Sequence, residues 1–254
     1  MEKVLNVLLS HQLASDVERL VEYWNSLLDP NNLLIAYGGP RDSLDHINFQ
    51  DRIFIDDSTL RTRDHQREGQ GYTAVFREVA RWLNSSSSHF EYIALFEFDH
   101  LPLVRDLNTR QTALLQKEQA DVLAFHLQRI DHTSHPHYLH YGLTPEFSDF
   151  FRKVSVRQDA SVVLSMFGTG SFWKRNAFDA VAKFTEPVPI YFEIYLPTLA
   201  HHLGFRLRDY GEQKRFVYNL GDRLGQVESA RREGAWTLHP VKTLPSVLSS
   251  ISAA

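Results

Sequence analysis

The stretch YIALFEFDHLPL, residues 92–103, runs apolar from Tyr92 to Phe96 and then breaks into Glu97-Phe98-Asp99-His100. A short apolar run that ends in polar residues predicts a strand buried in a sheet. Side chains alternate faces along a strand, so Glu97 and Asp99 are expected on the same side of its end. Two carboxylates so placed either solvate a strand terminus or hold a hard divalent cation and, through it, a diphosphate.

Working outward, strand-like and helix-like segments alternate through the first half. Val4–Leu9, Leu33–Ala36 and Arg52–Ile55 read as three further strands, and 121–127 (DVLAFHL) as a fifth. A helix is expected from Asp16 to Leu28, with Val17, Leu20, Val21, Trp24 and Leu28 on one stripe. Its start is marked by Ser15-Asp16-Val17-Glu18, a capping-box pattern. A second helix is expected from Tyr72 to Leu83. This rhythm predicts an α/β fold, a three-layer Rossmann-like arrangement with a mostly parallel central sheet. In such sheets ligands bind beyond the carboxyl ends of the strands. There the sequence places Ser10-His11, Tyr37-Gly38-Gly39, Asp56-Asp57 and the Glu97–His100 cluster.

The second half is less regular. Residues 128–160 form a long excursion rich in His, Pro and aromatic residues. Ser161–Met166 resumes strand character, and Trp173–Phe184 and Tyr191–Gly204 read as helices. No composition shift demands a boundary, so one domain over 1–254 is expected.

Composition removes several classes of function. The chain has 254 residues, 43% of them hydrophobic, and a formal net charge of −4, which disfavours a nucleic-acid binder that relies on a basic surface. The absence of cysteine excludes disulfides, thiol nucleophiles and thiolate metal sites, and suits a reducing compartment. No apolar run approaches the ~18 residues that cross a bilayer. The opening MEKVLNVLLSHQLAS reads as a first strand, not a secretion signal, so a cytoplasmic protein is expected.

Three later segments bear on the Glu97/Asp99 pair. SMFGTGSFWKRNAF (165–178) carries Gly168-Thr169-Gly170, which permits a tight turn or close backbone approach to a ligand. In PIYFEIYLPTLAHHLGF (189–205), Glu193 stands among apolar and aromatic neighbours, surroundings that raise a carboxyl pKa and suit a general base. LHPVKTLP (238–245) offers His239, which can complete a carboxylate metal site, and Lys242, which can meet phosphate charge. Each segment alone also reads blandly: a turn, a wet helix face, a His-Pro turn with a solvated lysine.

Taken in order, these segments resemble a glycosyltransferase of the GT-A fold, a family that uses nucleotide-diphosphate sugars. Glu97-Phe98-Asp99 is similar to its D-x-D metal motif, Phe167–Trp173 to its glycine-containing acceptor-side turn, and Glu193 to the catalytic carboxylate of inverting members. His239-Pro240-Val241-Lys242 is similar to a C-terminal segment holding a metal-binding histidine. The likeness spans Val4 to Lys242. Glu replaces the usual first Asp, and Ile194 follows Glu193 where the inverting signature has an acid, so stereochemistry stays open.

The resemblance implies a Mn2+ or Mg2+ cofactor on Asp99, Glu97 and His239, with Lys242 on phosphate. Donor contacts are implied at Ser10, His11, Tyr37, Gly38, Asp56, Asp57, Arg67, Gln70 and Glu97, with Tyr37 stacking on the base. Acceptor contacts are implied at Gly168, Gly170 and Trp173, and residues 1–127 and 128–254 become donor and acceptor halves. Phe172, Trp173, Tyr191 and Trp236 are candidates to pack on sugar rings. The acceptor is not specified. Two rivals remain: a non-catalytic nucleotide-sugar or metal-binding module, and a metal-dependent phosphoesterase built on His132, His135, His137 and His140.

Overall fold

A computed structural model describes residues 3–57, 60, 65–185, 190–211, 225–241 and 248, without side-chain detail at 65–71 and 225–226. The first half runs β1 (Val4–Ser10), α1 (Ala14–Leu27), β2 (Leu33–Tyr37), α2 (Arg41–Leu44), β3 (Arg52–Phe54), α3 (His65–Ser85) and β4 (Tyr92–Glu97). It continues with β5 (Leu101–Pro102), α4 (Leu107–Lys117), β6 (Val122–Ala124) and β7 (Gln128–Arg129). The second half adds α5 (Pro145–Val154), β8 (Leu164–Ser165), β9 (Ser171–Lys174) and α6 (Arg175–Ala182). It closes with α7 (Phe192–His202), β10 (Leu207–Asp209), α8 (Gly225–Arg232) and β11 (Thr237–Leu238).

Seven strands form one sheet in the order β10-β6-β9-β4-β1-β2-β3. All neighbours pair in parallel except β9, which runs antiparallel to both β4 and β6. Strand periodicity explains why the central strands read as unbroken apolar runs. Leu5 and Val7 of β1, with Ile93 and Leu95 of β4, pack into the layer that contains α3, α6 and α7. Val4 and Leu8, with Tyr92, Ala94 and Phe96, pack into the layer that contains α1, α4 and α8. Both faces are covered, so both parities must be apolar. The three-layer α/β architecture with a mostly parallel sheet is therefore observed.

Several local expectations need correction. Helix α1 begins two residues early, on Leu13 as N-cap with no side-chain cap, and Glu18 instead accepts the Asn48 N–H at 3.2 Å. The capping box therefore does not form. Trp173 does not open a helix: it lies in β9, where Phe172 and Trp173 are both fully buried, and the helix starts at Arg175. The expected strand at 161–166 shrinks to Leu164–Ser165, and the one at 121–127 to Val122–Ala124. Among the described residues no helix is long and apolar enough to cross a membrane.

Candidate metal centre and cleft

Strand β4 ends at Glu97, and the chain turns at once: the His100 N–H donates to the Glu97 carbonyl at 3.0 Å. Asp99 thus lies in a turn, and the two acids do not meet through strand alternation. They meet because the turn folds back and a distant segment closes over it. β11 pairs antiparallel with β5, Leu238 opposite Leu101, and the Val241 N–H donates to the Asp99 carbonyl at 2.9 Å. This register lays His239 on the turn. Its Nε2 stands 3.4 Å from Asp99 Oδ1 and 4.0 Å from Glu97 Oε2.

Glu97, Asp99 and His239 each offer a ligand atom, all within 4.8 Å of one another. Donors of an octahedral cation at about 2.1 Å stand about 3 Å apart when adjacent and about 4.2 Å apart when opposite. The 3.4 and 4.0 Å from His239 to the two acids lie between those values, and two carboxylates with one imidazole form a donor set suited to a divalent cation. The residues therefore fit a divalent cation, as the resemblance implies.

The centre is braced by four further side chains, to none of which the sequence assigned a role. Tyr72 Oη, from α3, donates to Glu97 Oε1 at 2.6 Å. Burial above all, then the Glu97 charge and hydrogen bond, pushes the Tyr72 pKa well above its ordinary value. Tyr72 is therefore a fixed donor. Thr169 Oγ1 accepts the Glu97 N–H at 2.9 Å and lies 3.0 Å from His100 Nδ1. His100 Nε2 lies 2.7 Å from Thr237 Oγ1. Burial, and next the neighbouring His239, holds the fully buried His100 well below its usual pKa. A neutral imidazole, donor at one nitrogen and acceptor at the other, thus pins the turn to both the glycine segment and β11.

The centre opens onto a cleft of about 390 Å³, within the range of small-molecule sites. Ser10, His11 and Gly38 line it from the ends of β1 and β2, and Gly168, Thr169 and Glu193 from the second half. Phe98, Phe167, Tyr191 and Phe192 supply apolar walls. Phe192 stacks on Tyr72 with ring centroids 3.9 Å apart, and a Cβ on Gly168 would fall 1.5 Å from its ring. Glycine is required there by packing. The Gly168 N–H donates to Glu193 Oε1 at 3.3 Å, which orients the carboxylate at the start of α7.

Other candidates fall elsewhere. Tyr37 is fully buried and donates its hydroxyl to the Gln12 carbonyl at 3.0 Å, so its ring has no face for a base. Trp173 is fully buried, with Nε1 bonded to Ser171 Oγ at 2.9 Å, and contributes to the core instead of an acceptor surface. Phe172 is equally buried, and Trp236 lies outside the cleft with Arg110 over its ring. Gly170 has φ +76° and a Cβ there would meet Phe125 and His100, so this glycine serves the turn. Asp56 and Asp57 follow β3 but do not line the cleft. Arg67 and Gln70 lie on α3 with side chains outside the described residues, and Lys242 lies outside them altogether. Among the described residues the histidines at 132, 135, 137 and 140 form no group able to ligate a metal; His137 instead packs edge-on against Tyr191.

No protein-family model matches the chain, and no curated protein does. Among solved structures it is similar to core-mannan synthase A from Aspergillus fumigatus in its Mn/GDP form, at 8% identity and a TM-score of 0.42. That alignment covers 83% of this chain and 73% of the other. It is also similar to a glycosyltransferase involved in the glycosylation of the major capsid of PBCV-1, at 11% identity and a TM-score of 0.48. There 99% of this chain and 100% of the other are covered.

Proposed function

We propose that the chain is a metal-dependent glycosyltransferase of the GT-A type, moving a sugar from a nucleotide-diphosphate donor to a hydroxyl acceptor. The observation that carries this reading is the convergence of Glu97, Asp99 and His239 on a cleft that also presents Glu193. Glu97, Asp99 and His239 would hold a divalent cation, which would supply positive charge against a departing diphosphate. The other tasks belong to the chain itself. Ser10, His11 and Gly38, at the ends of neighbouring parallel strands, offer polar contacts to the nucleotide. Tyr72 and Thr169 keep Glu97 in place. In an inverting reaction Glu193 Oε2 accepts the acceptor hydroxyl's proton while the Gly168 N–H holds Oε1. Phe98, Phe167, Tyr191 and Phe192 exclude water and give the sugar ring apolar faces.

On this reading the chain works as one unit, with 1–127 supplying the donor side and 128–254 the acceptor side. The test is a panel of nucleotide-diphosphate sugars incubated with the protein and manganese, monitored for release of the nucleoside diphosphate. Metal-dependent release from one donor, lost in Asp99→Ala, supports transfer. Metal-dependent thermal stabilisation by a donor without any release marks a binding module instead. Absence of both removes the reading.

A further inference from the structure

A second concavity of about 710 Å³ lies along the outer edge of β10, and it shares no lining residue with the metal cleft. Four arginines line it, Arg129, Arg157, Arg206 and Arg208, against a single carboxylate, Asp121. That carboxylate is already engaged, Oδ1 by Lys174 Nζ at 2.9 Å and Oδ2 by the Arg206 backbone N–H at 2.9 Å. Arg129 is also matched, in a bidentate pair with Asp131. The other three arginines form no ion pair with a carboxylate of the described residues. Arg206 just precedes β10 and Arg208 lies in it, both exposed on either side of the buried Leu207; Arg206 Nη1 donates to Gln119 Oε1 at 3.2 Å and Arg208 Nη1 to the Leu207 carbonyl at 3.1 Å. Arg157 is held by the carbonyls of His201, Gly204 and Phe205, a geometry that fixes its guanidinium at the wall.

Arginines gathered on one wall repel one another, a cost that a bound anion relieves. Guanidinium groups match phosphate geometry by paired N–H donors. We propose that this groove is a binding site for a phosphate-class anion, with Arg157, Arg206 and Arg208 as its ligands. His201 lines the groove beside them. The site does not depend on the transferase reading, because its residues are distinct from the metal centre. Glu193 and His201 lie at opposite ends of α7, about 12 Å apart along the helix at 1.5 Å per residue. An anion in the groove therefore lies close to, and outside, the cleft.

The test uses inorganic pyrophosphate in EDTA, so that no cation recruits it to Glu97 and Asp99. Binding is followed by the arginine Nε–Hε cross-peaks in 1H–15N NMR and by calorimetry. Wild type and Asp99→Ala are expected to bind alike, with arginine side-chain peaks shifting. The exposed Arg206→Gln/Arg208→Gln pair is expected to weaken binding about tenfold or more while the melting temperature is unchanged. Equal binding by that variant, or arginine peaks unmoved at millimolar pyrophosphate, overturns the proposal. A flotation arm with phosphatidylcholine vesicles, with and without phosphatidic acid, separates the sources of the phosphate. Arginine-dependent flotation with phosphatidic acid assigns a lipid headgroup; pyrophosphate binding without flotation assigns a soluble phosphate ester.

Discussion

His239 Nε2 stands 3.4 Å from Asp99 Oδ1, although the two residues come from the far C-terminal segment and the middle of the sheet. The β5–β11 pairing and the Val241 N–H to Asp99 carbonyl bond produce this approach. The contact therefore joins fold to chemistry: the segment that closes the fold also completes the donor set. Manganese is expected to raise the wild-type melting temperature, because a ligand at ~100 times its Kd adds about 2.7 kcal/mol. In Asp99→Ala that rise should vanish, and in His239→Ala it should shrink. A full manganese response in both variants, measured by thermal shift, would place the metal elsewhere.

The Glu193 carboxylate accepts a hydrogen bond from the Gly168 N–H at 3.3 Å. Glu193→Gln keeps an acceptor for that bond but cannot take a proton. Turnover is expected to fall by about 10²- to 10⁴-fold, the usual contribution of general base catalysis. The manganese-induced thermal shift should stay at the wild-type size. An unchanged turnover number would remove Glu193 from the chemistry and leave it as a wall of the cleft.

Tyr72 donates to Glu97 Oε1 at 2.6 Å and stacks on Phe192, so it links the metal centre to the opposite wall. Tyr72→Phe keeps the stack and deletes only the hydroxyl. A lost hydrogen bond to a charged partner costs about 1.5–3 kcal/mol. Urea unfolding should show a loss of that order, together with weaker manganese binding. A variant as stable as wild type would mean that the hydroxyl–carboxylate bond contributes no net stability.

These cases show what could and could not be read in advance. The sheet and its C-terminal edge were legible because β1, β2 and β4 are buried on both faces, and only apolar residues satisfy that. Glu97, Asp99, His239 and Glu193 each read blandly alone; only their order along the chain and its resemblance to a family singled them out, and the proximity of His239 to the two acids comes from the β5–β11 pairing. His100, Thr169 and Thr237 were not, because their role is a set of long-range hydrogen bonds invisible to local pattern. Tyr37 and Trp173 misled for the opposite reason. An aromatic residue near a strand end or glycine turn reads as a platform, and only burial shows it to be core.

Trp173 tests that correction. It is fully buried, edge-on to Phe76 with centroids 5.2 Å apart. Trp173→Ala is expected to cost about 3–5 kcal/mol through the cavity it leaves. Gly168→Ala forces its Cβ into Phe192, which lines the cleft, and overpacking of this kind costs about 1–3 kcal/mol. The two variants should separate in function. At temperatures where both remain folded, donor binding should survive in Trp173→Ala and weaken in Gly168→Ala. The reverse outcome in a binding titration would restore Trp173 as a ligand contact.

The final prediction concerns acid stability. His201 is pushed down to about 4, first by burial, then by neighbouring His202, Arg157 and Arg129, while Asp159 opposes the shift. His202 is also lowered, chiefly by burial, against the pull of its hydrogen bond to the Val162 carbonyl. Both folded-state values lie below the unfolded value of about 6.5, so the unfolded chain binds more protons in that window. The stability that these groups contribute is complete above about pH 6.5 and is lost as pH falls towards the folded-state value. Carboxylates add their own loss lower down, so the informative quantity is the difference between wild type and His201→Gln. The urea midpoint of wild type should drop more steeply than that of the variant between neutral pH and the onset of carboxylate titration. Parallel curves through that window would show that His201 takes up its proton equally readily in both states.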